Sequence, residues 1–79
     1  MNTRQALQIS AARSKAADGT ARRIREAAGL KLWEVASVIG VDGPTLSRWE
    51  RGQRRPWGPA AIAWVELLDR LEQETQVVS

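Results

Sequence analysis

From Thr20 onward, apolar residues recur at spacings of three and four, and Gly or Pro interrupts them at short intervals, as in small amphipathic helices joined by tight turns. Thr20 is expected to cap a helix running to about Ala28, with Ala21, Ile24 and Ala28 facing inward and Gly29 closing it. Leu30 leads into a second helix from about Leu32 to Ile39, in which Leu32, Val35, Ala36 and Ile39 share one face before Gly40 ends it. Val41 is the expected buried residue of the turn. Asp42 is a good N-cap for a third helix ending near Arg51 at Gly52, and Pro44 falls in its first turn, where a missing N–H costs nothing. This third helix has two distinct sides: Leu46 and Trp49 on one, and Pro44, Ser47, Arg48 and Arg51 on the other.

Residues 53–58 form a basic loop containing Pro56 and Gly58, and Pro59 then opens a long helix to about Glu74. Ile62, Trp64, Val65, Leu67, Leu68 and Leu71 cover more of that helix than the stripe of about 100° that one core contact needs. The helix is therefore either central to the domain or shared with another subunit. Residues 3–17 are rich in Ala with few breakers, so a helix is expected there despite a poor amphipathic pattern. Residues 1–19 are an N-terminal extension for which three readings stay open: a basic arm on a polyanion, a helix covering Trp33, or disorder. Residues 20–74 make the principal domain, and residues 75–79 are expected to fray.

Seventy-nine residues suit one domain with a modest core. There is no Cys and no His, which removes the usual zinc ligands, the usual general base and any Ser-His-Asp or Cys-His nucleophile. No enzymatic activity, metal or cofactor is expected, and no small-molecule ligand is evident. No apolar run approaches the roughly 20 residues of a spanning helix, so no membrane partner is expected and a cytoplasmic protein is the reading. The net charge of +3 is unevenly placed: residues 20–58 hold eight of the twelve basic residues against four acids, whereas residues 59–79 are net acidic. Concentration of cations around the third helix suits a polyanion, and ten of the twelve are Arg, whose planar fork matches phosphate and guanine edges.

Taken in order, Ile24 to Leu30, Val35-Ala36, Ile39-Gly40-Val41, Thr45 to Gly52 and Arg54-Arg55-Pro56 resemble the helix-turn-helix family of the lambda repressor and Cro type, often called XRE-like. The resemblance covers about residues 20–70. It implies an all-α, compact four- to five-helix lambda-repressor-like domain with an extra N-terminal helix, and a sequence-specific regulator that binds double-stranded DNA. In that family the third helix lies in the major groove with its N-terminal residues against base edges. The positions that match are Gly43, Pro44, Thr45, Ser47 and Arg48 for base reading, and Arg22, Lys31, Arg51, Arg54 and Arg55 for phosphate. The family also pairs an Arg of the first helix with the Glu of the third, here Arg25 and Glu50. Glu50 lies on the edge of the inner face, so burial would demand a cation for it on physical grounds as well.

The chain departs from the family where bases are read. Gly43 and Pro44 stand where Gln, Arg or Ser are common, and Leu32 stands where a Gln usually contacts phosphate. Direct readout then rests on Arg48, Ser47 and Thr45, with Pro44 able to touch a thymine methyl. Trp49 occupies a core position of the family. Trp33 lies where an exposed acidic residue is usual, which together with Trp64, Leu68 and Leu71 of the last helix makes a candidate subunit contact and points to a homodimer on paired half-sites. The resemblance suits a small phage or bacterial repressor, or an antitoxin repressing its own operon. Two alternatives stand beside it: an excisionase or MerR-like module, suggested by residues 32–36 and Arg48-Trp49, and a protein-interaction adaptor on the same scaffold without DNA binding.

Overall fold

The computed structural model describes residues 1–77, with side chains through residue 74; residues 78 and 79, within the segment expected to fray, lie outside the described residues. Five helices follow one another, α1 Thr3–Ala17, α2 Thr20–Ala27, α3 Leu32–Ile39, α4 Gly43–Glu50 and α5 Gly58–Val77, with no strand among the described residues. The fold is all-α. Helix α5 runs three residues past its expected end at Glu74 and leaves no strand-built wing in residues 58–77.

Helix α5 is the central element, lying against α1, α2 and α3. Its inward stripe is Ala61, Trp64, Val65 and Leu68, each at most 2% exposed and spaced as one helical face. Trp64 lies 5.3 Å, centroid to centroid, from Trp49 of α4 at an interplanar angle of 39°, so the two indoles join the last helix to the third. This placement corrects the expectation for Trp64 and Leu68 as subunit contacts, because both are wholly enclosed within the chain. Leu71 is half-buried and Trp33 remains 64% exposed. The wide apolar girth of α5 is explained by its having neighbours on several sides.

Helix α1 begins with a reciprocal cap, in which the Gln5 amide N–H donates to Asn2 Oδ1 at 2.8 Å and the Asn2 N–H donates to Gln5 Oε1 at 3.0 Å. Its buried residues are Ile9, Ala12 and Ala16, a narrow stripe of mostly small side chains that docks on α5. A polar seam runs beside that stripe: Gln8 donates to Glu66, and Lys15 bonds Asp69 and Glu72. Partial burial works against the Lys15 charge, yet the two carboxylates outweigh it and hold its pKa above the ordinary lysine value. With α1 placed on α5, it does not cover Trp33.

Two expectations at α2 are also corrected. Thr20 is the first helical residue and not the cap, because Gly19, at φ 81, makes the left-handed turn between α1 and α2 that a β-branched residue disfavours. The Asp18 carboxylate accepts from the Thr20 N–H at 2.9 Å, taking the capping role from the preceding turn. Ala28 is exposed, since the chain closes one residue earlier through bonds from Gly29 to Glu26 and from Leu30 to Arg25, and Leu30 turns inward instead. Val41 is half-buried against the core.

Trp64→Ala is expected to cost about 3 to 5 kcal/mol in denaturant unfolding, the range for truncating a buried aromatic, while Trp33→Ala should stay within about 0.5 kcal/mol. Equal costs would contradict this allocation of the two indoles.

Candidate nucleic-acid interface

The turn between α3 and α4 is made by Gly40 and Val41. Gly40 sits at φ 84, a conformation that glycine adopts without the clash other residues incur, and both its N–H and that of Val41 reach the Ala36 carbonyl. Asp42 then starts α4 by accepting from the Thr45 N–H at 2.8 Å. Hydrogen bonding from Thr45 holds the Asp42 carboxyl below its ordinary pKa.

Helix α4 buries Leu46, Trp49 and Glu50 and exposes Pro44 and Arg48, and Arg51, its C-cap, is exposed as well. Gly43, Thr45 and Ser47 are half-buried. A Cβ added at Gly43 would meet nothing within 4 Å, so its missing side chain leaves open space at the helix start. The structure therefore separates the five base-reading candidates: Pro44 and Arg48 stand out on the surface, while Thr45 and Ser47 are set back beside them.

A groove lies on each side of α4. One, of about 680 Å³, is lined by Thr45, Arg48 and Trp49 of α4 together with Val41 and the loop residues Arg54, Arg55 and Trp57. The second, of about 290 Å³, is lined by Ser47 and Glu50 of α4 and its C-cap Arg51, together with Arg22, Arg25 and Leu32. Arg48, Arg54 and Arg55 thus come together on one flank, and Arg22 and Arg51 on the other. Arg22 also pairs with Glu26 at 3.5 Å, and Arg51 Nε turns back to the Ser47 carbonyl at 3.4 Å. Lys31 lines neither groove; its backbone N–H donates to Glu34 Oε1 at 2.8 Å at the start of α3.

Behind this face lies the ion pair that orients it. Arg25 Nε donates to Glu50 Oε2 at 2.6 Å and Nη2 donates to Oε1 at 2.9 Å, a bidentate fork with side chains 12% and 4% exposed. Arg25 Nη1 also donates to the Leu30 carbonyl at 2.9 Å. One guanidinium therefore ties α2, the α2–α3 turn and α4 to one another. The Glu50 hydrogen bond raises the Arg25 pKa despite the opposing effect of burial.

Two further residues beside this face were given no site role from the sequence. Trp57 is 71% exposed at the rim of the larger groove. Arg13 of α1 donates from Nε to the Pro56 carbonyl at 2.8 Å, across 43 residues of chain. A signal for Arg13 exists: it falls between Ile9 and Ala16 on the inward stripe of α1, where a cation needs a partner.

A family model described as a helix-turn-helix domain matches residues 19–77, leaving α1 outside the match. No curated protein and no solved structure matches the chain.

Arg25→Ala and Glu50→Ala are each expected to destabilise by about 3 to 5 kcal/mol, because each strands a buried charge, with the double variant well below their sum. Near-zero coupling in the double-mutant cycle would contradict the pair's role. The Asp42 cap is expected to hold above the unfolded carboxyl's pKa of about 3.9 and to weaken as pH falls through the lower folded value. Carboxyl NMR should place the Asp42 midpoint below the ordinary range, and an ordinary midpoint would remove the cap's pH dependence.

Proposed function

Because this chain belongs to the helix-turn-helix domain family of XRE-like and Cro-like type, we propose that it is a sequence-specific transcriptional regulator, a small bacterial or phage repressor that inserts α4 into the major groove of double-stranded DNA. The observation that supports this most is the exposed Pro44, Arg48 and Arg51 face of α4, flanked on each side by an arginine-lined groove. A helix fits the major groove, and its flanks then meet the two phosphate backbones.

In this reading Arg48 makes a bidentate contact to guanine O6 and N7, Ser47 and Thr45 add polar contacts, and Pro44 packs on a thymine methyl. Gly43 permits close backbone approach. Arg54 and Arg55 neutralise phosphates on one strand, Arg22 and Arg51 on the other, and Lys31 adds a cation before α3. Four of these cations are arginines of the two grooves, whose fork suits phosphate oxygens.

One strong base contact per copy is little specificity, so two copies on paired half-sites and DNA shape complete the recognition. With Trp64 and Leu68 enclosed, the large apolar side chains open to a second copy include Leu7 of α1, Trp33 and Val38 of α3, and Trp57 of the loop after α4. No described helix is long and apolar enough to cross a membrane, and the work proposed here is that of a cytoplasmic regulator.

Binding through about five phosphates is expected to give a slope of about −4 to −5 for log affinity against log salt. No measurable affinity at low salt would favour the adaptor reading instead. Arg48→Ala should cost about 1 to 3 kcal/mol at one base position and relax preference there. A uniform loss across all sequences would assign Arg48 to phosphate.

A further inference from the structure

The basic loop after α4 is held at both ends, and one of the holds comes from outside the family match. At its entry, the Gln53 N–H donates to the Arg48 carbonyl at 2.9 Å, and Gly52 lies against α1, with Ala17 Cα 4.0 Å from where a Gly52 Cβ would stand. At its exit, Pro56 is enclosed, under 2% exposed, and its carbonyl accepts from Arg13 Nε at 2.8 Å. Arg54 and Arg55 lie between these two ties, exposed, and share a third groove, of about 300 Å³, with Arg13, Ser14 and Ala17.

From this geometry we infer that α1 is a working part of the DNA-binding apparatus, with Arg13 a positioning residue that holds the 53–57 loop so that Arg54 and Arg55 meet the phosphate backbone already ordered. The inference rests on the DNA-binding reading above and extends it to a helix that the family match does not include. A free loop must be ordered when DNA arrives, at a cost in affinity; a loop fixed beforehand avoids most of it. The polar seam of Gln8 and Lys15 with α5 keeps α1 itself in register for this task.

The chemistry of the contact supplies a sharp control. In Arg13→Gln, Nε2 stands as many bonds from the backbone as the arginine Nε that donates to Pro56, so the variant keeps the donor and removes the charge. Arg13→Ala removes both. Binding of the intact chain to a random-sequence duplex of about 20 base pairs, measured over a range of salt, and amide hydrogen exchange of the free protein then separate the roles. Arg13→Ala should weaken binding about tenfold, make the salt slope shallower by up to about 1.8, the equivalent of two phosphates, and speed exchange at Gln53, the loop amide that donates to the Arg48 carbonyl. The amides of Leu46 and Trp49 should keep their protection. Arg13→Gln should match the wild type in all three readouts.

An Arg13→Ala protein with unchanged affinity and slope would overturn the inference. So would an Arg13→Gln protein as weak as Arg13→Ala, which would mean that Arg13 acts through its charge, and so would faster exchange spread evenly over the chain. A wild-type protein with no salt-dependent affinity would overturn the DNA-binding reading itself, before any variant is compared.

Discussion

The arrangement of the exposed face depends on one buried interaction, the fork of Arg25 on Glu50. Taking two charges out of water is costly, and the cost is met here by two short charge-assisted bonds and a third to the Leu30 carbonyl. A directional contact of this kind fixes angles as well as distances, which apolar packing alone does less well. Leu46 and Trp49 hold α4 against the core, while the ion pair sets how far α4 is rotated. Rotation decides which residues face outward. With Glu50 turned in, Pro44, Arg48 and Arg51 are turned out.

Helix α5 supplies the base against which this rotation is defined. Trp64 packs on Trp49 from behind, and α1 closes the far side of α5 with Ile9, Ala12 and Ala16. In a chain this small the core has few layers, so one helix serves several neighbours. The same economy makes the N-terminal helix more than a cover, since its Arg13 touches the loop that carries Arg54 and Arg55.

Much of this was legible in the sequence for residues 20–52. There, apolar spacing, an Asp cap and glycines after short helices coincide, and the spans of α3 and the start of α4 were expected where they occur. The start of α2 was not, because Thr20 looks like a cap in isolation and only the left-handed turn at Gly19 moves that role to Asp18. The burial of Trp64 and Leu68 was not legible either. A helix apolar on most sides is equally consistent with a central position and with a subunit contact, and the choice depended on where α1 docks. That docking is carried by alanines, whose small side chains give a weak amphipathic signal. Among the site residues, Arg25 and Glu50 were matched through the family resemblance together with the demand of a buried carboxylate, and the structure brings them together; for Arg13 the sequence offers its place on the inward stripe of α1 but no sign of the backbone carbonyl that it meets.

The central claim, that α4 reads DNA through few side chains and relies on pairing and shape for the rest, is tested most directly by selecting bound sequences from a random duplex pool. The account predicts an enriched motif with a dominant guanine in each of two half-sites about one helical turn apart, 10 to 10.5 base pairs, and weak preference elsewhere. Recovery of no enriched sequence, or of a long motif specified at every position of a single half-site, would contradict it.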